Sequence, residues 1–302
     1  MRQWPRALPW IALIVVYFVW GSTYIGIRLA VETIPPYLMT GCRWLLAGSM
    51  LLALQALLMK RKPVWPTRAE LLRASLTAML LIVLGNGLLC IAEERVESGT
   101  AALLIASTPI WMVLLDALLT RSAPNALVLA GLVAGSAGIA ALVGKTAGHG
   151  DAVFAGLILL ASLSWALGSV YARGNEHRPF TASWEMIAGG LFAIVAGLLL
   201  GEGSHLQLRL ISPASLWGML WLITAGAMLG YSAYAYAVRT LPTATVATYA
   251  YVNPVVAVIL GVVVLQERLT WTLLAGGVAV VLSVVLILTG GRRITEEVLE
   301  QS

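Results

Sequence analysis

Inside runs of residues that are otherwise apolar, the chain places polar and aromatic side chains that could orient a small solute. Asn86, Tyr231, Tyr251 and Asn253 sit deep in such runs, and Trp20, Tyr24, Ser107, Trp111, Trp165 and Tyr234 join them at matching depths. Amides and phenols supply directional hydrogen bonds and rings supply contact area, which is the make-up of a small-molecule cavity. Catalytic constellations are missing from the sequence. His149, His177 and His205 fall between the apolar runs without zinc-ligand spacing. No phosphate-binding loop of the Walker type occurs. Ala134-Gly135-Ser136-Ala137-Gly138 approaches a nucleophile elbow but lacks its first glycine and lies in a continuous apolar run. No enzyme activity, cofactor or metal is expected, and Cys42 and Cys90 read as free structural thiols.

Of the charges within apolar runs, Arg43 and Glu185 are weighed for a role, and Asp116, near the cytoplasmic end of its run, carries less weight. Arg43 either faces protein or water or snorkels to the interface, because a charge facing lipid is costly. Glu185 is a candidate for proton coupling, with a position near the headgroups as the alternative. The two are not expected to pair directly. Pro109 and Pro254 lie mid-run, where proline removes a backbone bond and frees the carbonyl four residues back, Ile105 and Ala250. They are candidate hinges, unless neighbours repair the freed groups.

Membrane-spanning helices must position these groups. Of 302 residues, 60% are apolar and 11% charged, too few charges to cover a water-facing surface. A span needs roughly 20 apolar residues. Ten candidates run over about 9–31, 36–59, 70–92, 97–119, 125–143, 152–172, 180–201, 213–238, 243–265 and 270–290. The N-terminal run resembles a signal peptide but is expected to remain, since equally apolar runs follow it. The net charge of +5 reflects cations in short loops, not nucleic-acid binding. With the N-terminus cytoplasmic, the cytoplasmic side holds Arg2, Arg6, Lys60, Arg61, Lys62, Arg68, Arg73, Arg121, Arg173, Arg178, Arg239, Arg292 and Arg293. The other side holds only Arg28, Arg95, Lys145, Arg209 and Arg268. Both termini are therefore expected inside.

A constant offset of 145 residues superposes the two halves. Trp20 falls on Trp165, Arg28 on Arg173, Gly85 on Gly230, Pro109 on Pro254 and Ala130-Gly131 on Ala275-Gly276. Residues 1–145 and 146–290 are read as repeats and 291–302 as a polar cytoplasmic tail. Five helices is an odd number, so the second repeat enters from the opposite side. The fold class is thus an all-α integral membrane protein, ten transmembrane helices forming two inverted five-helix repeats. Such repeats place a solute site near the midplane between them. The expected partners are a small-molecule solute and the lipid bilayer. Gly131-x-x-x-Gly135 suggests close packing within one half, and a monomer is expected.

The chain resembles the drug/metabolite transporter superfamily, EamA type. The resemblance rests on Trp20-Gly21-Ser22-Thr23-Tyr24-Ile25-Gly26, on Pro36 with Arg43-Trp44, and on Asn253-Pro254-Val255 with Glu267-Arg268-Leu269-Thr270. In the first repeat Ser122-Ala123 stand where Glu267-Arg268 stand in the second. The resemblance implies a secondary transporter of a bacterial inner membrane, exporting amino acids or similar metabolites by alternating access, like the YddG-like exporters. It implies a cavity lined by helices 1, 3, 4, 6, 8 and 9, with helices 5 and 10 as buttresses. Alternatives are a transporter of phosphorylated or nucleotide-sugar solutes, which would need several midplane cations, and a non-transport membrane protein.

Overall fold

The computed structural model describes residues 7–59, 65–120, 124–146, 152–173, 180–241 and 249–300. Among the described residues all regular structure is helical. The elements are α1 (Leu8–Val31), α2 (Pro36–Met59), α3 (Arg68–Ala92), α4a (Ser98–Ile105), α4b (Thr108–Thr120), α5 (Ala126–Thr146), α6 (Ala152–Arg173), α7 (Thr181–Leu199), α8 (Pro213–Thr240), α9 (Tyr249–Val264) and α10 (Trp271–Glu300). Six of them contain stretches long and apolar enough to cross a membrane: Leu8–Val31, Pro36–Met59, Arg68–Ala92, Ala152–Ala172, Thr181–Leu199 and Pro213–Tyr234. Shorter apolar helices run over Ser98–Met112, Ala126–Gly138, Val252–Val264 and Trp271–Ile287. Leu57, Leu199 and Val133 project outward, and Trp10, Trp65, Trp217 and Trp271 are all more than half exposed. That surface suits lipid tails with an aromatic border, and it contrasts with the inward-facing Trp44 and Trp165.

The ends of the helices follow from local chemistry. Thr67 and Glu70 form a reciprocal capping box at the start of α3. Ser212 caps α8, accepting from the Ser215 amide at 3.0 Å. Helix 4, expected continuous, is broken at Ala106-Ser107. Pro109 explains the break. It cannot donate to Ile105, and it stands instead in the first turn of α4b, where its missing N–H costs nothing. The freed Ile105 carbonyl is satisfied by Thr108 Oγ1 at 2.7 Å and Ser162 Oγ at 3.4 Å. Pro254, by contrast, lies within α9.

The polar residues expected as a tail continue α10, which runs as helix through Gly290-Gly291 to Glu300. Glycine only weakens a helix, and here Gly290 admits the start of α5, with Asn125 Nδ2 donating to its carbonyl at 2.9 Å. The expectation that the Gly131-x-x-x-Gly135 face packs within its own half needs correction, since only Ile110, met by a Cβ on Gly135, belongs to that half. The face lies against α10, where a Cβ on Gly131 would meet Ile287 and the Ser283 carbonyl, and one on Gly135 would meet Ser283. The small residues let α5 and α10 approach closely. The same device joins α2 to α7 through Gly41, Gly48 and Gly190.

Both α3 and α8 widen into π-helix near their middles, over Met79–Asn86 and Leu222–Tyr231. These stretches end on Asn86 and Tyr231, positions 145 residues apart. Mid-helix π segments occur frequently at functional sites.

Candidate functional site

Each π segment carries a glycine against which a tryptophan from the other half of the chain rests. A Cβ on Gly85 would meet the Trp165 ring at 3.2 Å, and one on Gly230 would meet Trp20 Nε1 at 2.6 Å. Trp20 donates to the Gly226 carbonyl at 3.3 Å, a carbonyl within the π segment of α8. The two tryptophans meet edge to face, with centroids 6.2 Å apart. Tyr234 and Tyr249 close the group around Trp20 at 4.8 and 5.4 Å. Such geometries add about 0.5–1.5 kcal/mol per pair beyond burial. Asn253 borders this group. With its amide oriented to satisfy both partners, it donates to the carbonyls of Tyr17 at 3.0 Å and Tyr249 at 3.3 Å.

Beside the aromatic group a polar chain crosses from one half to the other. Arg43 is 3% exposed, so it faces protein and does not snorkel. Its Nη1 donates to Asn86 Oδ1 at 3.3 Å, and Trp44 Nε1 donates to the same oxygen at 3.3 Å. The Trp44 ring meets Tyr231 edge to face at 6.2 Å. The Tyr231 hydroxyl donates to Glu185 Oε2 at 2.8 Å. Arg43 and Glu185 are therefore linked through Asn86, Trp44 and Tyr231. A narrow cleft lies beside Glu185 and Tyr231, walled by Trp44, Trp165, Thr77, Leu81 and Met186. Its walls come from α2, α3, α6, α7 and α8.

The remaining predicted residues separate from this centre. Ser107 is buried and shares a hydroxyl cluster with Thr108 and Ser162, at 2.8 and 2.9 Å to the Ser162 oxygen. It fastens α4b to α6. Trp111 packs with a buried indole N–H that meets no acceptor among the described residues. Tyr24 is buried beside Glu93, toward the far end of α1. The Tyr251 side chain lies outside the described residues.

Two carboxylates absent from the sequence-predicted site clasp the halves at one end of the bundle. Glu267 accepts from the Ser98 amide at 2.8 Å, the Ser98 hydroxyl at 2.7 Å and the Gly99 amide at 3.2 Å. Glu202 accepts from the amides of Tyr37 at 3.0 Å and Leu38 at 2.8 Å. Each second-half carboxylate thereby satisfies open amides at the N-terminus of a first-half helix, α4a or α2. Glu267 stood in a sequence signature, but its partners lie 169 residues away and no local pattern announces them.

The EamA-like transporter family matches the chain twice, over residues 8–144 and 154–289. The "Uncharacterized inner membrane transporter YedA" of Escherichia coli K12 is 38% identical over 289 residues, covering 92% of this chain and 90% of that protein. A "Probable amino-acid metabolite efflux pump" of Salmonella typhimurium is 26% identical over 290 residues, covering 89% and 91%. A solved crystal structure superposes with a TM-score of 0.67 at 14% identity, covering 96% of this chain and 99% of the other, which shows a shared fold.

Proposed function

We infer that this chain, which belongs to the EamA-like transporter family, is an inner-membrane secondary transporter that exports amino acids or similar small polar metabolites by alternating access. Ten spans, α4a and α4b counting as one, form inverted repeats over 1–145 and 146–290, with both termini cytoplasmic. The doubled family match supports this division. So does the packing: α1 lies against α8 and α9, as α6 lies against α3 and α4, while α2 meets α7 and α5 meets α10. Each contact maps onto another, or onto itself, under the 145-residue offset. Trp20 on Gly230 and Trp165 on Gly85 repeat that exchange at side-chain level.

One observation carries the solute reading: Arg43, Asn86, Trp44, Tyr231 and Glu185 form a continuous polar and aromatic chain between the halves, beside a cleft. A guanidinium and a carboxylate at its two ends suit a zwitterion, while Trp44, Trp165 and Tyr231 offer faces to apolar side chains or an ammonium group. Arg43 is the one arginine among these five residues, and its Nη1 is engaged by Asn86, so a dianionic phosphate finds little to hold it. The opposed repeats would present this site to each side in turn, with Pro254 inside α9 and the break at Pro109 as flexing points.

Proteoliposomes with a panel of labelled amino acids test the proposal, with and without a pH gradient. Uptake of at least one amino acid is expected, reduced at least tenfold by Asn86→Leu, since losing one charge-assisted contact costs about 1.5–3 kcal/mol. Transport of none refutes the amino-acid reading.

A further inference from the structure

Glu93 stands immediately after Ala92, the last residue of α3, in the short connection to α4a. Next to Glu94 it looks like part of a solvated loop, yet its side chain is 0% exposed. Neither of its carboxylate oxygens meets a hydrogen-bond donor among the described residues. Tyr24 and Arg28 of α1, Arg43 of α2, Cys90 of α3 and Glu267 of the α9–α10 connection are the titratable and charged groups that face it. The cations are engaged elsewhere. Arg28 donates to the backbone carbonyl of Glu93 and Arg43 donates to Asn86. Glu267 is occupied by Ser98 and Gly99. A carboxylate ion held here without a donor is strongly disfavoured, whereas the neutral acid is tolerated.

We propose that Glu93 is a proton-binding site: its protonation permits the outer side of the transporter to close, and the proton leaves to external water when that side opens. The proposal rests on the alternating-access reading and orientation given above. The geometry that links the proton to closure is short. Glu93 is five residues before Ser98, whose amide and hydroxyl Glu267 holds in the closed arrangement. Burying Glu93 and docking α4a on Glu267 are one movement. Opening parts them, water solvates the carboxyl, and the acid dissociates to carboxylate and hydronium with no other reactant.

Burial holds Glu93 well above the ordinary carboxylate value of 4.5. Arg28 opposes that shift, Glu267 adds to it, and Arg43 opposes it. The closed form therefore binds the proton more tightly than the open form. Below the ordinary value both forms are protonated and pH has no effect. Between it and the raised value, each pH unit favours opening by up to about tenfold, and above the raised value the effect levels off. An acidic exterior keeps the outer side shut.

Cys90, one turn before Glu93, is wholly buried and serves as the probe. In a Cys42→Ser chain reconstituted in liposomes, a membrane-impermeant maleimide is reacted with Cys90 between about pH 5 and 8. The same profile is measured with Glu93→Gln. The one difference in the thiol's own ionisation, a carboxylate at position 93 disfavouring the neighbouring thiolate, lowers the ratio as pH rises and cannot mimic a climb. The ratio of Glu93 to Glu93→Gln labelling is expected to climb with pH, by up to about tenfold per unit. A flat ratio overturns the proposal. If Glu93→Gln does not accumulate, the Glu93 protein is normalised at each pH to the same thiol in the denatured chain, and a flat profile again overturns it. Labelling needs no solute. A climbing ratio in a protein that moves no amino acid supports the proton site while refuting the solute, and a flat ratio in an active transporter refutes the proton site alone.

Discussion

Replacing Glu267 by alanine should release the N-terminus of α4a from the second half. The carboxylate accepts three hydrogen bonds, two from the open amides of Ser98 and Gly99 and one from the Ser98 hydroxyl. Losing an N-terminal cap costs up to about 2 kcal/mol. Losing a negative charge at a helix N-terminus adds about 0.3–1 kcal/mol. Water can replace part of this once the end opens, so about 2–3 kcal/mol is the expected loss. That corresponds to a roughly 30- to 150-fold rise in the open population. Hydrogen exchange reads it directly, because the Ser98 and Gly99 amides exchange only when unclasped. Peptides covering 96–104 should exchange faster by that factor in Glu267→Ala, while peptides from α10 keep their rates. Ser98→Ala removes only the hydroxyl bond and should accelerate exchange less than tenfold, since a single neutral bond is worth about 1 kcal/mol. Unchanged protection in Glu267→Ala would show that the clasp contributes nothing to closure.

Gly230→Ala places a methyl 2.6 Å from Trp20 Nε1. It should cost about 1–3 kcal/mol through overpacking and shift tryptophan fluorescence, measured with thermal unfolding in detergent. Gly135→Leu would drive a side chain into Ser283 and Ile110. It should part α5 from α10 and lower the unfolding temperature more than Gly156→Leu, where a Cβ meets nothing within 4 Å. A larger loss at Gly156 would refute the assigned packing.

The helical runs were legible because a spanning helix must be apolar along its whole length, and α1, α2 and α6 begin and end within a residue or two of the expected bounds. The break in α4 was half legible. Proline announced a freed Ile105 carbonyl, but that Thr108 and Ser162 would satisfy it depends on how α6 packs. The π segments had no compositional signature, since an i to i+5 bond draws on the same residues as an α-helix. The repeated Gly85 and Gly230 were their only trace. Asn86, Tyr231, Arg43 and Glu185 could each be singled out as polar groups in apolar runs. Their order along one chain of contacts could not, because Trp44, which joins them, stands out in the sequence only as the neighbour of Arg43 in a family motif. Glu93 escaped notice for the opposite reason. Beside Glu94 it reads as solvated, and only the packing of α1, α2 and the α9–α10 connection buries it.

In the proposed inverted repeat the two halves match more closely in packing than in charge, and that difference bears on direction. Glu202 and Glu267 clasp first-half helices at one end of the bundle. Under the 145-residue offset their counterparts are Leu57 and Ser122, neither of which can be a carboxylate cap. At the end where α2 finishes and α7 begins, Ser183 donates to Gln55 Oε1 at 3.0 Å, a neutral bond worth about 1 kcal/mol against about 1.5–3 for one to a charged group. Among the described residues the clasps at the two ends are unequal, and unequal clasps bias two inverted states. In the proposed orientation, the charged clasps hold the outer side and the neutral bond spans the cytoplasmic one. The resting bias is then toward a site that meets cytoplasmic solute first, the bias an exporter requires. Transplanting a carboxylate to the cytoplasmic side with Gln55→Glu should reduce that bias. The rate of export should fall while exchange of solute across a loaded membrane is retained, and an export rate unaffected by the change would disconnect clasp strength from direction.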